Sequence, residues 1–239
     1  MDTGFVFLIA IFAGGLIGSA INWIATRLPA DLPMSGPPLR AWDDQPSGWA
    51  FVPFVGALDR ETRRVDWPKL ATDAAAAVIV AIALVVKGLT FDGWRALVFA
   101  SVLLLILRID WQNHLIYFAT IIPGLALALG FSAAASWTQF LSAVAAGVAA
   151  AFLFLLLFML AFAIYKQRAL GFGDVLLAAL IGAMTGLRGV GSALMLGIIL
   201  AAVGGVLLVA IRVRKRTDFI PYGAYLSLGA IVVILLGQY

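Results

Sequence analysis

Long apolar segments separated by short polar connections are the feature that most constrains the fold of this 239-residue chain. Hydrophobic residues make up 64% of the sequence, whereas a soluble domain averages about 45–50%. In lipid every backbone polar group needs an internal partner, so such segments cross as α-helices. We therefore predict an all-α, polytopic membrane protein with about eight transmembrane helices. The predicted spans are about Gly4–Ala25, Ala71–Lys87, Trp94–Leu107, Leu115–Phe131, Gln139–Tyr165, Asp174–Leu187, Val190–Ile211 and Ile220–Leu236.

One long polar stretch, from about Pro29 to Ala71, interrupts this pattern. Its first half is rich in proline, which disfavours a regular helix. It also has too many aromatic residues for a disordered segment: Trp42, Trp49, Phe51, Phe54 and Trp67. We therefore predict a small subdomain that is folded or lies on the membrane surface. The predicted organisation is a first transmembrane helix over 1–28, the loop subdomain over 29–71 and a seven-helix core over 72–239.

Basic residues indicate which side of the membrane each connection faces, because they are enriched in cytoplasmic loops. Of the sixteen lysines and arginines, thirteen lie in one set of connections, and only Lys87, Arg95 and Arg188 lie in the other. This distribution predicts that the long polar stretch is cytoplasmic and that both termini lie outside. Basic residues beside apolar spans are also typical of contact with anionic lipid, and we expect no nucleic-acid partner.

The chain contains no cysteine and a single histidine, His114. The absence of cysteine excludes disulfides, thiolate zinc sites and cysteine nucleophiles. One histidine excludes an HExxH zinc site within the chain. We therefore expect no metal site, and we expect His114 to be an ordinary titratable surface residue.

Two of the twelve acidic residues lie at the ends of predicted spans on the same membrane face. Asp110 ends the third span, and Asp174 begins the sixth, directly after Gly171-Phe172-Gly173. Two carboxyl groups brought together share a proton, so one takes a proton from water while the other polarises a scissile carbonyl. Spacing alone leaves a second interpretation open, in which Asp110 lies beside Arg108 and Asp174 only caps its helix.

The other acidic residues are expected in ordinary positions. Nine lie in loops or at a terminus, where solvent stabilises their charge. Asp73 is expected to open a helix, where the helix macrodipole favours an anion. In the first span, Gly14, Gly15, Gly18 and Ser19 predict a small-residue face for close helix packing.

Several motifs resemble those of prepilin peptidases, or type IV leader peptidases, the aspartyl membrane peptidases of type IV pilus and type II secretion systems. The matching blocks occur in the family's order and cover nearly the whole chain. They are Gly18-Ser19, Asn22 and Arg27-Leu28-Pro29 (similar to GSFLN and RLP), Phe51–Gly56 (similar to IPxxS), Asp110 with Pro123 (the first catalytic motif), Gly171–Asp174 (the GxGD motif) and Ile220–Gly223 (similar to IPFGP).

The resemblance implies an eight-helix bundle with a cytoplasmic loop domain in the bacterial inner membrane. It implies that Asp110 and Asp174 are the catalytic carboxylates, supported by Gly171 and Gly173. The substrate would be the basic cytoplasmic leader of a prepilin or pseudopilin, cut after a glycine at the membrane surface. Residues expected to contact the substrate or the loop are Asn22, Arg27, Asp59 and Glu61. Acids expected to attract the basic leader are Asp43, Asp44, Asp59, Glu61 and Asp66.

Many members of the family also N-methylate the new amino terminus with S-adenosylmethionine, and their loop usually carries two CxxC pairs for zinc. This chain lacks those cysteines, so we expect no zinc, no cofactor for proteolysis, and leave methylation open. Two other departures concern substrate positioning. Leu176 stands where the family often has lysine, and Tyr117-Phe118 follows Ile116 where the family often has Pro-Asp or Pro-Asn.

Two other classes of function stay open at this point. A proton-coupled transporter would also use an acid pair, although it favours charged residues deep within the spans, and here the acids lie at span ends. A non-catalytic membrane scaffold for secretion machinery would need neither aspartate. The sequence does not show which pilins are substrates or how the protein oligomerises.

Overall fold

The structure is a computed structural model that describes residues 3–37, 39, 51–58, 64–165, 171–210 and 221–237. These residues form helices joined by loops, and Leu58 and Val65 form an isolated antiparallel β-bridge. The α-helices are α1 (Thr3–Arg27), α2 (Trp67–Val86), α3 (Phe91–Asn113), α4 (Phe118–Ala135), α5 (Trp137–Tyr165), α6 (Phe172–Ala210) and α7 (Tyr222–Leu236). Of these, α1, α2, α4, α5 and α6 are long and apolar enough to cross a membrane, and α7 is a shorter apolar helix. The prediction of an all-α, polytopic membrane protein is confirmed.

Helix α6 contains both the sixth and the seventh predicted spans, as two helical segments that meet at a kink. Its only non-helical residue is Gly186, with φ 63° and ψ −177°. Glycine adopts this conformation because it has no Cβ. The predicted connection at Arg188-Gly189 is therefore helical, and the bend between the two apolar halves lies at Gly186 instead.

Helix α2 begins at Trp67, four residues before the apolar run begins. The side chain of Asp66 caps it by accepting a 2.9 Å hydrogen bond from the N–H of Lys69, and Pro68 occupies the first turn, where its missing N–H costs nothing. The expectation that Asp73 opens a helix is therefore wrong. Asp73 lies in the second turn, is fully buried and forms a 2.6 Å ion pair with Lys69.

The chain divides into two compact units, Met1–Ile109 and Asp110–Tyr239. In the first unit α1 packs against α2 through small residues. A Cβ at Gly18 would lie 2.5 Å from the Cα of Asp73, and one at Gly14 would overlap the backbone of Ala77. The small-residue face predicted in the first span is therefore a helix-packing surface, as van der Waals packing in membranes requires.

A buried polar network connects the helices of the first unit around Asp73. Its carboxylate accepts hydrogen bonds from the N–H of Phe54 (2.9 Å) and the side-chain amide of Asn22 (3.3 Å), besides the ion pair with Lys69. The side-chain oxygen of Asn22 accepts a 3.2 Å hydrogen bond from Nε of Arg108. The network supplies partners for charges that would be costly to bury alone.

The described part of the polar stretch is bound to the end of α1. Arg27 donates hydrogen bonds to the carbonyls of Pro33 and of Pro37, the latter at 2.8 Å. The indole N–H of Trp23 donates to the carbonyl of Gly36 at 2.8 Å. These contacts order residues 28–37 against the helix, and residues 38, 40–50 and 59–63 lie outside the described part of the chain.

In the second unit α6 packs closely against both α5 and α7. A Cβ at Gly182 would overlap the carbonyl of Ala146 on α5, and a Cβ at Gly197 would lie 2.7 Å from the Cα of Leu226 on α7. Fully buried side chains of Leu177 and Phe154 fill the space between the helices. This packing places the first turns of α6 and α7 close to the segment that follows α3.

Candidate active site

Asp110 lies in the last turn of α3, three residues beyond the apolar span predicted for that helix, and is 5% exposed. Its Oδ2 accepts a 2.7 Å hydrogen bond from the N–H of Ala224 in the first turn of α7. Burial raises the pKa of the Asp110 carboxyl, while hydrogen bonds from the N–H groups of Ala224 and Gly223 and the charge of His114 act against that rise. The free N–H groups of a helix N-terminus favour an anion, so α7 stabilises the ionised form of this carboxyl group.

Asp174 lies in the first turn of α6 and is 8% exposed. Its Oδ2 accepts a 3.0 Å hydrogen bond from the N–H of Gly171, and its own N–H donates to the carbonyl of Gly171 at 3.1 Å. The two bonds close a turn across the GxGD motif and fix the direction of the carboxylate. Gly171 thus supports Asp174 through its backbone, whereas Gly173 leaves space for the side chain of Ile116, 2.9 Å from where a Cβ would lie.

The structure brings the carboxyl groups of Asp110 and Asp174 near enough to interact electrostatically. Among the described residues, neither carboxylate takes part in an ion pair. Two buried carboxyl groups this close cannot both ionise cheaply, which favours a pair that holds one proton. This arrangement has the chemistry needed to activate a water molecule against a peptide carbonyl.

Two further titratable groups face this pair. Tyr222 is the first residue of α7; its hydroxyl interacts electrostatically with Asp174, and its ring centroid lies 6.5 Å from that of Phe154. His114 is half-buried and has φ 53°, and its backbone N–H donates to the backbone carbonyl of Asp110 at 2.9 Å. Sequence analysis missed Tyr222, although the Ile-Pro-Tyr-Gly motif contained it.

Of the remaining candidate residues, the structure describes Asn22, Arg27 and Asp66. Asn22 (2% exposed) and Arg27 (5% exposed) belong to the first unit, where Asn22 bonds within the polar network and Arg27 binds loop carbonyls. Asp66 is the buried cap of α2. The acids Asp43, Asp44, Asp59 and Glu61 lie outside the described residues.

The structure also describes the three residues at which this chain departs from the motifs of the family it resembles. Tyr117 precedes α4 in an extended conformation (φ −92°, ψ 136°), and Phe118 is exposed. Leu176 is half-buried in the first turns of α6.

Comparison with known proteins matches residues 97–210 to the type IV leader peptidase family. The chain is 23% identical, over 269 aligned residues, to a prepilin leader peptidase/N-methyltransferase of Pseudomonas putida, covering 100% of this chain and 93% of that protein. No solved structure matches it significantly. The matched region contains α3 from its second turn, α4, α5 and α6, and therefore both aspartates.

Proposed function

We propose that this chain cleaves the leader peptides of prepilins with Asp110 and Asp174 as its catalytic pair, and the match of residues 97–210 to the type IV leader peptidase family supports this proposal. The observation that carries the proposal is the pair itself. Two buried aspartates, 64 positions apart in the chain, interact electrostatically, and each accepts a hydrogen bond from a backbone N–H.

The two carboxyl groups accept hydrogen bonds from different backbone N–H groups, and we assign them different roles on that basis. Asp110 is bound by N–H groups at the N-terminus of α7, which favour its ionised form. Asp174 accepts one hydrogen bond from Gly171, so we assign the shared proton to Asp174. Asp110 then takes a proton from the attacking water, while protonated Asp174 donates a hydrogen bond to the carbonyl oxygen of the scissile bond.

The distribution of basic residues supports a cytoplasmic site in a bacterial inner membrane. Both aspartates lie at helix ends, Asp110 in the last turn of α3 and Asp174 in the first turn of α6. A substrate cut here would have a soluble leader followed by a membrane-embedded helix, as prepilins and type II secretion pseudopilins have. The exposed apolar side chains of α5 support contact of the protein with lipid.

Methylation of the new amino terminus is a second activity to test, because the curated relative is named as both peptidase and N-methyltransferase. This activity would need S-adenosylmethionine as methyl donor. Neither the cysteine-free sequence nor the aspartate pair supplies a reason to require zinc for cleavage.

One experiment tests both activities. Purified protein in detergent is incubated with a prepilin, with and without S-adenosylmethionine, and the product masses are measured. Loss of the leader in both samples supports the peptidase, and an added methyl group in the second sample alone supports methylation. An intact prepilin in both samples, together with proton flux into liposomes containing the protein, would instead favour the transporter.

A further inference from the structure

The side chain of Ile116 lies between two glycines of the second unit. Ile116 belongs to the short connection between α3 and α4. A Cβ at Gly173 would lie 2.9 Å from Cβ of Ile116, and a Cβ at Gly223 would lie 2.9 Å from its Cδ1. The isoleucine therefore contacts the backbone of α6 on one side and the backbone of α7 on the other.

Each of these glycines is next to a residue that fixes one carboxylate. Gly173 directly precedes Asp174. Gly223 directly precedes Ala224, whose N–H holds Asp110, and a Cβ at Gly223 would lie 3.0 Å from Oδ2 of Asp110. One aliphatic side chain thus separates the two backbone segments that hold the carboxyl groups.

We propose that Ile116 is a positioning residue that sets the separation between the carboxyl groups of Asp110 and Asp174, a role that rests on the proposed peptidase function. A β-branched side chain has few rotamers, so its width is well defined. Packed interiors transmit small changes in volume. Because a misplacement of about 1 Å costs about 100-fold in rate, the width of this side chain matters for catalysis.

The pH dependence of cleavage reports this separation directly. The closer two carboxyl groups lie, the wider the pH range over which they hold a single proton. Among the residues that the structure describes, the other titratable groups that act on them are His114, just after α3, and Tyr222, on α7. Neither group changes in the variants below, so a change in the width of the profile follows from the separation of the pair.

The test compares Ile116→Ala with Ile122→Ala in the full-length protein. Ile122 is the matched control because it lies on α4 and is 62% exposed. We expect Ile116→Ala to lower kcat/KM by about 10-fold to 100-fold. With a smaller side chain at position 116, the first turns of α6 and α7 approach each other, and the carboxyl groups of Asp110 and Asp174 come closer. The acidic limb of the variant's pH profile therefore moves to lower pH and the basic limb to higher pH. Ile122→Ala should match the native protein in both respects.

A second variant covers the case in which Ile116→Ala does not fold. Ile116→Val removes only Cδ1, the atom that faces Gly223, so it should fold and show a smaller change in the same direction. A profile of unchanged or reduced width in both variants overturns the positioning role. If native protein cuts prepilin while both variants resemble Ile122→Ala, only this inference fails; if native protein does not cut prepilin, the proposed function fails.

Discussion

The carboxylate of Asp110 accepts a 2.7 Å hydrogen bond from the backbone N–H of Ala224, a residue 114 positions later in the chain. This bond joins the last turn of α3 to the first turn of α7. Asp174, in the first turn of α6, lies near enough to Asp110 to interact with it electrostatically. The Pro221-Tyr222-Gly223 segment is therefore part of the candidate active site and not only the start of the last apolar helix.

Replacing Gly223 by alanine should impair cleavage strongly. The new methyl group would lie 3.0 Å from Oδ2 of Asp110 and 2.9 Å from Cδ1 of Ile116, so it would displace the carboxylate or α7. We expect kcat/KM to fall by about 100-fold, as for a displacement of about 1 Å. Gly130→Ala is the control, because no atom lies within 4 Å of a Cβ at that position. Equal cleavage rates for the two variants would contradict this prediction.

Removing the carboxylate of Asp73 should destabilise the protein, because Asp73 is the ion-pair partner of a buried lysine. Asp73→Ala leaves Lys69 buried without its partner, which typically costs about 3–5 kcal/mol. The comparison is Asp92→Ala, which removes the exposed partner of Arg95 and should cost less than about 1 kcal/mol. Chemical denaturation in detergent measures the difference in the free energy of unfolding. A similar free energy of unfolding for both variants would show that the buried network contributes little.

Alanine at Gly186 and at Gly191 should have opposite effects on stability, although both glycines lie in α6. Gly186 has φ 63° and ψ −177°, a region open almost only to glycine, so Gly186→Ala should cost about 1–3 kcal/mol. Gly191 is helical, and a Cβ there meets nothing within 4 Å, so Gly191→Ala should gain up to about 1 kcal/mol. Thermal unfolding in detergent measures both values, and a stabilised Gly186→Ala would show that α6 is not bent there.

Most of the fold could be predicted because lipid leaves the backbone few alternatives to a helix. Helix ends were harder to predict, because a helix can begin before its apolar residues do. The Asp66 cap and Pro68 begin α2 before its apolar run, and this early start is what buries Asp73. Gly186 likewise bends α6 before the polar residue that had suggested a connection at Arg188.

The candidate site could be predicted only in part for a related reason. Asp110 and Asp174 are visible in the sequence because acids beside apolar spans are rare and because GxGD is a motif. The contacts of Ile116 with Gly173 and Gly223 join segments more than 50 residues apart. No local pattern encodes such contacts, so the role of Ile116 and the position of Tyr222 required the structure.

The most direct test of the central claim is leader cleavage by purified Asp110→Asn and Asp174→Asn variants. Asparagine keeps the size of each side chain but cannot exchange a proton in this reaction. Asp92→Asn is the matched control, because it changes an exposed acid on the same helix as Asp110. We predict that both site variants accumulate in the membrane and lose at least about 1,000-fold in cleavage rate, while Asp92→Asn cleaves normally. Native cleavage by either site variant would contradict the account.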